Sequence, residues 1–218
     1  LSLSNKRKTR IGWISTWNER CGIASYSRNL INSMSDEVTV FAPLNDHITE
    51  VNDTNVITCW ELSFNKHQDF SQLVSHIFSN NLTSIVIQFN YGFYNFYDFS
   101  ILINTLVDHK IKVIVCLHST IDPKNNKDKK LKILSKSFTK CTRLMVHTIS
   151  DLNRLKNIGL VENVSLFPHG IVDSCLSLNN KMIVSNNKKT LSIASYGFCL
   201  PNKGFSELIH AIALLKES

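Results

Sequence analysis

Short runs of apolar residues, rich in β-branched side chains, recur along most of the chain. They cover residues 10–15, 37–42, 55–60, 83–89, 111–117, 143–147 and 163–167. Most are apolar at consecutive positions rather than at alternate ones, a pattern typical of parallel strands that are buried on both faces. These runs predict the strands of a parallel sheet that is covered on both sides.

The segments between these runs carry a helical period. Over 23–34 the apolar positions fall on one stripe, and weaker versions of the same period occur over 69–79, 98–108, 128–138 and 150–158. Strands that alternate with helices through short connections imply right-handed crossovers. The sequence therefore predicts an α/β fold with a doubly wound, Rossmann-like parallel sheet.

The chain is expected to contain a domain boundary. Residues 1–173 form the predicted first domain, and 174–189, rich in Ser, Asn and Lys, are typical of a linker. A strand over 190–198 and an amphipathic helix over 203–217 follow. One strand and one helix cannot form a core, so we expect 190–218 to be the first βα unit of an incomplete second domain.

Composition and charge limit the class of protein. The chain has 218 residues, 43% of them hydrophobic and 19% charged, which is typical of a folded globular protein. Its formal net charge of +7 suits phosphate ligands, anionic lipid headgroups or nucleic acid. The basic segments lack interleaved aromatic residues, so we expect no nucleic acid partner.

The cellular compartment follows from what the sequence lacks. No apolar run approaches the roughly 18 residues of a membrane span, and no secretion signal precedes the first strand. The six cysteines form no C-x-x-C pair and have no histidine at zinc-like spacing, so we expect neither disulfides nor a metal site. Cys59 and Cys116 are interpreted as buried hydrophobic residues in a cytoplasmic protein.

Chemistry in a doubly wound fold is expected in the loops after the strands. Gly22 begins the first predicted helix, where free amides could receive an anion, although it could simply permit a tight turn. After the fourth strand, Gln88, Asn90 and Tyr91 are candidates to bind sugar hydroxyls, with core packing as the alternative.

Two cationic or titratable residues complete the candidates. His118 leaves the fifth strand, where its side chain would point into a cleft, unless it is a structural histidine. Lys203 lies just before the last helix, so its ammonium and the helix N-terminus could share one phosphate. The alternative for Lys203 is a solvated surface lysine.

The order of several motifs brings in a known family. They are RCGIASYSRNLI, IQFNYG, LHST, VHTISDLNRLKNIGL, FPHGI and GFCLPNKGFSELIHAIALL. From about residue 10 onwards the chain resembles a family-4 retaining glycosyltransferase with two Rossmann-like domains, the GT-B fold. The resemblance implies transfer of a sugar from a nucleotide-diphosphate sugar to a carbohydrate or lipid-linked hydroxyl, without cofactor or metal. In polysaccharide or glycolipid synthesis a basic enzyme of this kind would contact the anionic inner face of the cytoplasmic membrane.

The same resemblance assigns roles to three residues. Gly22 would lie near the donor diphosphate, His118 would contact the transferred sugar, and Lys203 would neutralise the departing phosphate. The chain departs from the family pattern where Cys21 replaces a glycine and Phe198 replaces an arginine. The family's paired glutamates are also absent, so we expect the chain alone to be inactive.

Two other interpretations stay open at this point. The first is a non-catalytic module that binds a nucleotide sugar or a glycan, which Phe198 favours. The second is a different doubly wound protein, such as a nucleotide-sugar epimerase. The epimerase is disfavoured because the chain has neither a dinucleotide glycine fingerprint nor a Tyr-x-x-x-Lys pair.

Overall fold

The computed structural model describes residues 9–44, 55–62, 66–171, 193–197 and 203–216. Its strands are β1 (Ile11–Ile14), β2 (Val38–Pro43), β3 (Val56–Trp60), β4 (Ser84–Phe89), β5 (Lys112–Leu117), β6 (Arg143–Val146) and β7 (Val164–Leu166). They form one sheet in the order β3-β2-β1-β4-β5-β6-β7, and every neighbouring pair is parallel. The predicted doubly wound, Rossmann-like fold is confirmed.

Helices connect the strands, as their period predicts. They are α1 (Gly22–Asn32), α2 (Ser71–Ser79), α3 (Phe96–Asp108), α4 (Leu131–Phe138), α5 (Ile149–Asn157) and α6 (Phe205–Lys216), with a short 3-10 helix over Lys127–Lys129 before α4. None of the helices within the described ranges has both the length and the hydropathy that a bilayer-spanning helix requires.

The sheet is covered on both faces by different sets of side chains. The larger core contains residues of α2, α3 and α4, among them Leu73, Phe99 and Phe138, packed on the strands. A smaller core on β1 and β2 contains Trp13 and Val40, with partly buried side chains of α1 packed against it. Helix α1 therefore covers a face of the sheet that α2, α3 and α4 do not.

Gly12, in β1, is closely surrounded by side chains of the neighbouring strands and of Leu82. A Cβ at this position would lie 2.5 Å from Ile85, 2.8 Å from Leu82 and 2.9 Å from Phe41. Contacts this short would force the ends of these side chains to shift, so glycine fits here without rearrangement of the core. Close packing of β1 against the larger core depends on this residue.

The chain divides into two compact units, Leu1–Val172 and Asp173–Ser218. The predicted linker, 174–189, lies outside the described residues, as does Phe198. The predicted strand over 190–198 is described only at 193–197, and that part forms no strand and pairs with none of the other described residues. Helix α6 forms as predicted.

Candidate functional site

Polar side chains converge at the carboxyl end of the sheet, on one face of β4, β5 and β6. Gln88 pairs in register with Cys116, and Cys116 pairs with Met145. Successive residues of a strand point to opposite faces, so residues two positions apart share a face. His118 follows Cys116 by two positions and His147 follows Met145 by two, which brings both histidines to the face of Gln88 and Cys116.

Four rings come together above this edge, which we call the histidine cluster: Tyr26 of α1, His118, His147 and His169. The tyrosine ring meets the three imidazoles edge to face, with centroids 5.0 to 5.4 Å apart. His147 and His169 stack with centroids 3.9 Å apart, and His118 lies 5.1 Å from His147. Helix α1 and three strand ends therefore contribute to one cluster.

Hydrogen bonds orient two of these imidazoles. His118 Nε2 lies 2.7 Å from Gln88 Oε1, and His147 Nδ1 lies 2.8 Å from the backbone carbonyl of Phe167. Both partners are acceptors, so each imidazole donates through the named nitrogen and keeps a lone pair on the other.

Cys116 lies between the cluster and the sheet. Its Sγ is 3.5 Å from His147 Nε2 and 3.8 Å from the Tyr26 hydroxyl. Because His147 Nε2 carries a lone pair, the thiol donates to it. Sequence interpretation of Cys116 as a buried residue is confirmed, since its side chain is 1% exposed, but its sulfur also has polar partners.

Burial favours the neutral forms of His118, His147 and the Cys116 thiol. Burial lowers the pKa of His118 to about 3, and the neighbouring imidazoles lower it further when protonated. Burial also lowers the pKa of His147, although its bond to Phe167 opposes this, and burial raises the pKa of Cys116 to about 11. Such a site suits hydroxyls or a cation better than it suits an anion.

Gly22 lies at the first position of α1, beside the cluster. No side chain caps this helix within the described residues, and the first amide bonded inside it is that of Ser25, to the Cys21 carbonyl. A Cβ on Gly22 would meet nothing within 4 Å. The start of α1 therefore has amides and open space for a ligand, and a steric need of the fold does not explain the glycine.

The three candidates after β4 take different places. Gln88 is fully buried behind His118, and its Nε2 has no hydrogen-bond partner among the described residues. Asn90 accepts a bond from the Gly92 amide at 3.0 Å, and the Tyr91 hydroxyl donates to Asp122 at 2.9 Å. Gln88 thus supports the histidine cluster, whereas Asn90 bonds within its own loop and Tyr91 bonds to the loop after β5.

A second network joins the loops that follow β5 and β6. Thr120 donates to Asp151 at 2.5 Å, and Arg154 donates to the same carboxylate at 2.6 Å and to Thr120 at 2.8 Å. Thr148 caps α5 by accepting from the Asp151 amide at 3.1 Å. These bonds hold the loops that carry His118 and His147 in a fixed relation.

Lys203 lies in the second unit, two residues before α6 begins, and its side chain is exposed. The placement of this lysine just ahead of a helix is as the sequence predicts. Its role towards a phosphate stays a prediction.

Sequence reasoning missed most of the cluster. Of the four rings it singled out only His118, and it interpreted the neighbouring Cys116 as a buried hydrophobic residue. The alternation of side chains along the strands could have placed Cys116 with His118, but joining them to His147 requires the strand order. Within the described part of the chain, Cys116, His118 and His147 bring their ligand atoms within 4.8 Å of one another, a grouping that linear spacing does not reveal.

Comparison with known proteins does not assign the chain to a family. No protein-family model matches the chain, and no curated protein matches it.

Proposed function

We propose that the protein is a retaining glycosyltransferase, with the carboxyl edge of its sheet on the acceptor side of sugar transfer. The proposal depends most on His118, a half-buried and neutral histidine at the exit of β5, held by Gln88 at 2.7 Å. In a doubly wound fold this edge is where ligands bind. The order of the family-4 motifs in the sequence supports sugar transfer as the reaction.

The cluster's chemistry supports a sugar as the ligand. His118 Nδ1 keeps a lone pair that can accept a bond from a sugar hydroxyl, while the rings of Tyr26 and His169 offer apolar faces to the pyranose. A neutral His118 imidazole imposes no repulsion on a neutral sugar and gives no strong attraction to phosphate. The groups that bind the donor diphosphate are therefore expected in another part of the chain.

Two features are proposed to bind that diphosphate. The start of α1 offers free amides and the positive end of the helix dipole beside Gly22. Lys203 adds the positive charge that stabilises the leaving phosphate as negative charge builds on it. The net charge of +7 supports a further peripheral contact with an anionic membrane surface, where a lipid-linked acceptor would be found.

The test is sugar transfer by the full-length gene product, supplied with a panel of UDP- and GDP-hexoses and lipid-linked or oligosaccharide acceptors. His118→Ala should lower turnover about 100-fold or more with the fold intact, because a contact made in the transition state is lost. The matched control is His109→Ala, which changes an exposed histidine at the end of α3. A near-wild-type rate for His118→Ala would remove this residue from the mechanism.

A non-catalytic binding module is the second candidate, favoured by Phe198 at the position where the family usually has an arginine. Such a module would bind the nucleotide sugar in a calorimetric titration and transfer nothing. Binding without transfer, under conditions where a known transferase is active, would select this alternative.

A further inference from the structure

Three side chains of the types that bind transition metals meet at the carboxyl edge of the sheet. Cys116 lies in β5, His118 directly follows that strand, and His147 directly follows β6. The sulfur and one nitrogen of each imidazole lie within 4.8 Å of one another in the described part of the chain. Thiolate and imidazole together are typical zinc ligands.

One edge of this triangle already has the dimensions of a zinc site. Bond lengths of about 2.3 Å to sulfur and 2.0–2.1 Å to nitrogen, at tetrahedral angles, separate the two ligand atoms by about 3.5 Å. Cys116 Sγ and His147 Nε2 are 3.5 Å apart. This pair needs no rearrangement, and the ligand atom of His118 lies within 4.8 Å of both.

The partners of the two histidines are those that metal-bound imidazoles use. A metal-bound histidine almost always donates its other ring nitrogen to a carbonyl or carboxylate, which leaves the ligating nitrogen deprotonated. His147 Nδ1 meets the Phe167 carbonyl, and His118 Nε2 meets the Gln88 side-chain carbonyl. The Tyr26 hydroxyl, 3.8 Å from Cys116 Sγ, is placed to donate to the sulfur.

From this geometry we propose that the protein binds one Zn²⁺ through Cys116 Sγ, His147 Nε2 and His118 Nδ1. Three protein ligands leave the fourth tetrahedral position to water or to an oxygen of a substrate, as in catalytic zinc sites. Binding replaces the proton of the Cys116 thiol, which is released to solvent, so the affinity for zinc falls as the pH falls.

The zinc site uses the same His118 Nδ1 lone pair that we propose for the sugar hydroxyl, so zinc bound there would displace that contact, but the two proposals can be tested separately. The zinc site uses only residues of the first unit and their hydrogen bonds, whereas transfer also requires a donor site. Zinc binding without sugar transfer would support the metal site alone. Sugar transfer without zinc binding would support the proposed function alone.

The experiment titrates the metal-free chain with Zn²⁺ against a chromophoric chelator, and with Co²⁺ as a spectroscopic probe. We expect one equivalent to bind, with a thiolate-to-cobalt charge-transfer band and the intense visible bands of tetrahedral cobalt. Cys116→Ser should abolish the charge-transfer band. Cys141→Ser, which changes another buried cysteine whose sulfur donates to the Ser137 carbonyl, should retain it. Failure of the wild-type chain to bind one equivalent, or a band that survives Cys116→Ser, would overturn the proposal.

Two further measurements cover the case in which the Cys116 variant does not fold. Gln88→Leu, which removes the acceptor for His118 and leaves the three ligands in place, should weaken zinc binding about 10- to 100-fold. X-ray absorption on the zinc-loaded wild-type chain should show one sulfur and three nitrogen or oxygen neighbours, with imidazole scattering. Unchanged affinity in Gln88→Leu, or a first shell without sulfur, would count against the site.

Discussion

The same strand ends present two opposite faces of the sheet with very different contents. Phe89 and Leu117, which pair in register, point into the larger core, where Phe89 packs within 6.1 Å of the rings of Tyr94, Phe99 and Phe138. Gln88 and Cys116, one position earlier, point to the histidine cluster. A step of one residue along the strand separates an apolar core from a polar site.

The difference separates residues that stabilise the fold from residues that bind a ligand. The apolar face contains side chains that contribute through packing alone, so it should determine stability. The polar face includes a buried amide nitrogen, on Gln88, without a partner among the described residues. Such a group costs about 1–3 kcal/mol of stability, so residues of this face should affect binding more than folding.

The largest effect is expected on the apolar face. Phe99→Ala removes a fully buried ring that stacks on Tyr94 at 4.2 Å, and it should lower the free energy of unfolding by about 3–5 kcal/mol. Urea denaturation measures this change. Tyr97→Ala, on the exposed side of the same helix, should lower the free energy of unfolding much less. Equal losses of stability in the two variants would contradict the role of the apolar face in stability.

A second test on the apolar face adds volume instead of removing it. Gly12→Ala places a methyl group within 2.9 Å of three core side chains, and overpacking of this kind costs about 1–3 kcal/mol. The melting temperature should fall. Gly92→Ala is the control, because the nearest atom to its added methyl would be 3.5 Å away. A stable Gly12→Ala variant would mean that the core side chains can rearrange at no cost.

On the polar face, stability and binding should separate. Gln88→Leu removes both the unpartnered amide and the acceptor for His118, two changes that oppose each other, so unfolding should shift by less than about 1 kcal/mol. The same variant should lose sugar transfer because His118 is no longer oriented. Gln88→Glu keeps an acceptor for His118 and should recover part of the activity. A loss of stability as large as that of Phe99→Ala would show that Gln88 belongs to the scaffold.

The smallest change in stability is expected at the start of α1. Gly22→Ala places a methyl group in open space within a helix, which should stabilise the protein by about 0.4–1 kcal/mol. If the amides there bind the donor diphosphate, the same methyl group should weaken nucleotide binding in calorimetry. Tighter folding together with unchanged binding would remove Gly22 from the donor site.

Most of the fold could be predicted because its signal is local. The strands from Ile11–Ile14 to Val164–Leu166 were recognisable by consecutive apolar residues, and each lies within one or two residues of its predicted bounds. The predicted strand over 190–198 was wrong in its described part, since local propensity does not form a strand without a partner in a sheet.

The site was less predictable because it depends on long-range pairing. His118 could be found at a strand exit, but its proximity to His147 follows from the pairing of β5 with β6, which no local pattern contains. The role of Tyr91 stays a prediction, and its partner is also set by long-range contact. Its residue type suits sugar binding, but its hydroxyl donates to Asp122, 31 positions further along the chain.

The two orienting bonds of the histidine cluster differ in how they tolerate mutation. His118 is held by the side chain of Gln88, so a single substitution at position 88 can remove the bond. His147 is held by the backbone carbonyl of Phe167, which every amino acid possesses. Position 167 can therefore vary freely over generations without disturbing His147, whereas position 88 is constrained in its chemistry. A survey of natural or randomised variants should find glutamine or another acceptor retained at 88 and many residue types accepted at 167.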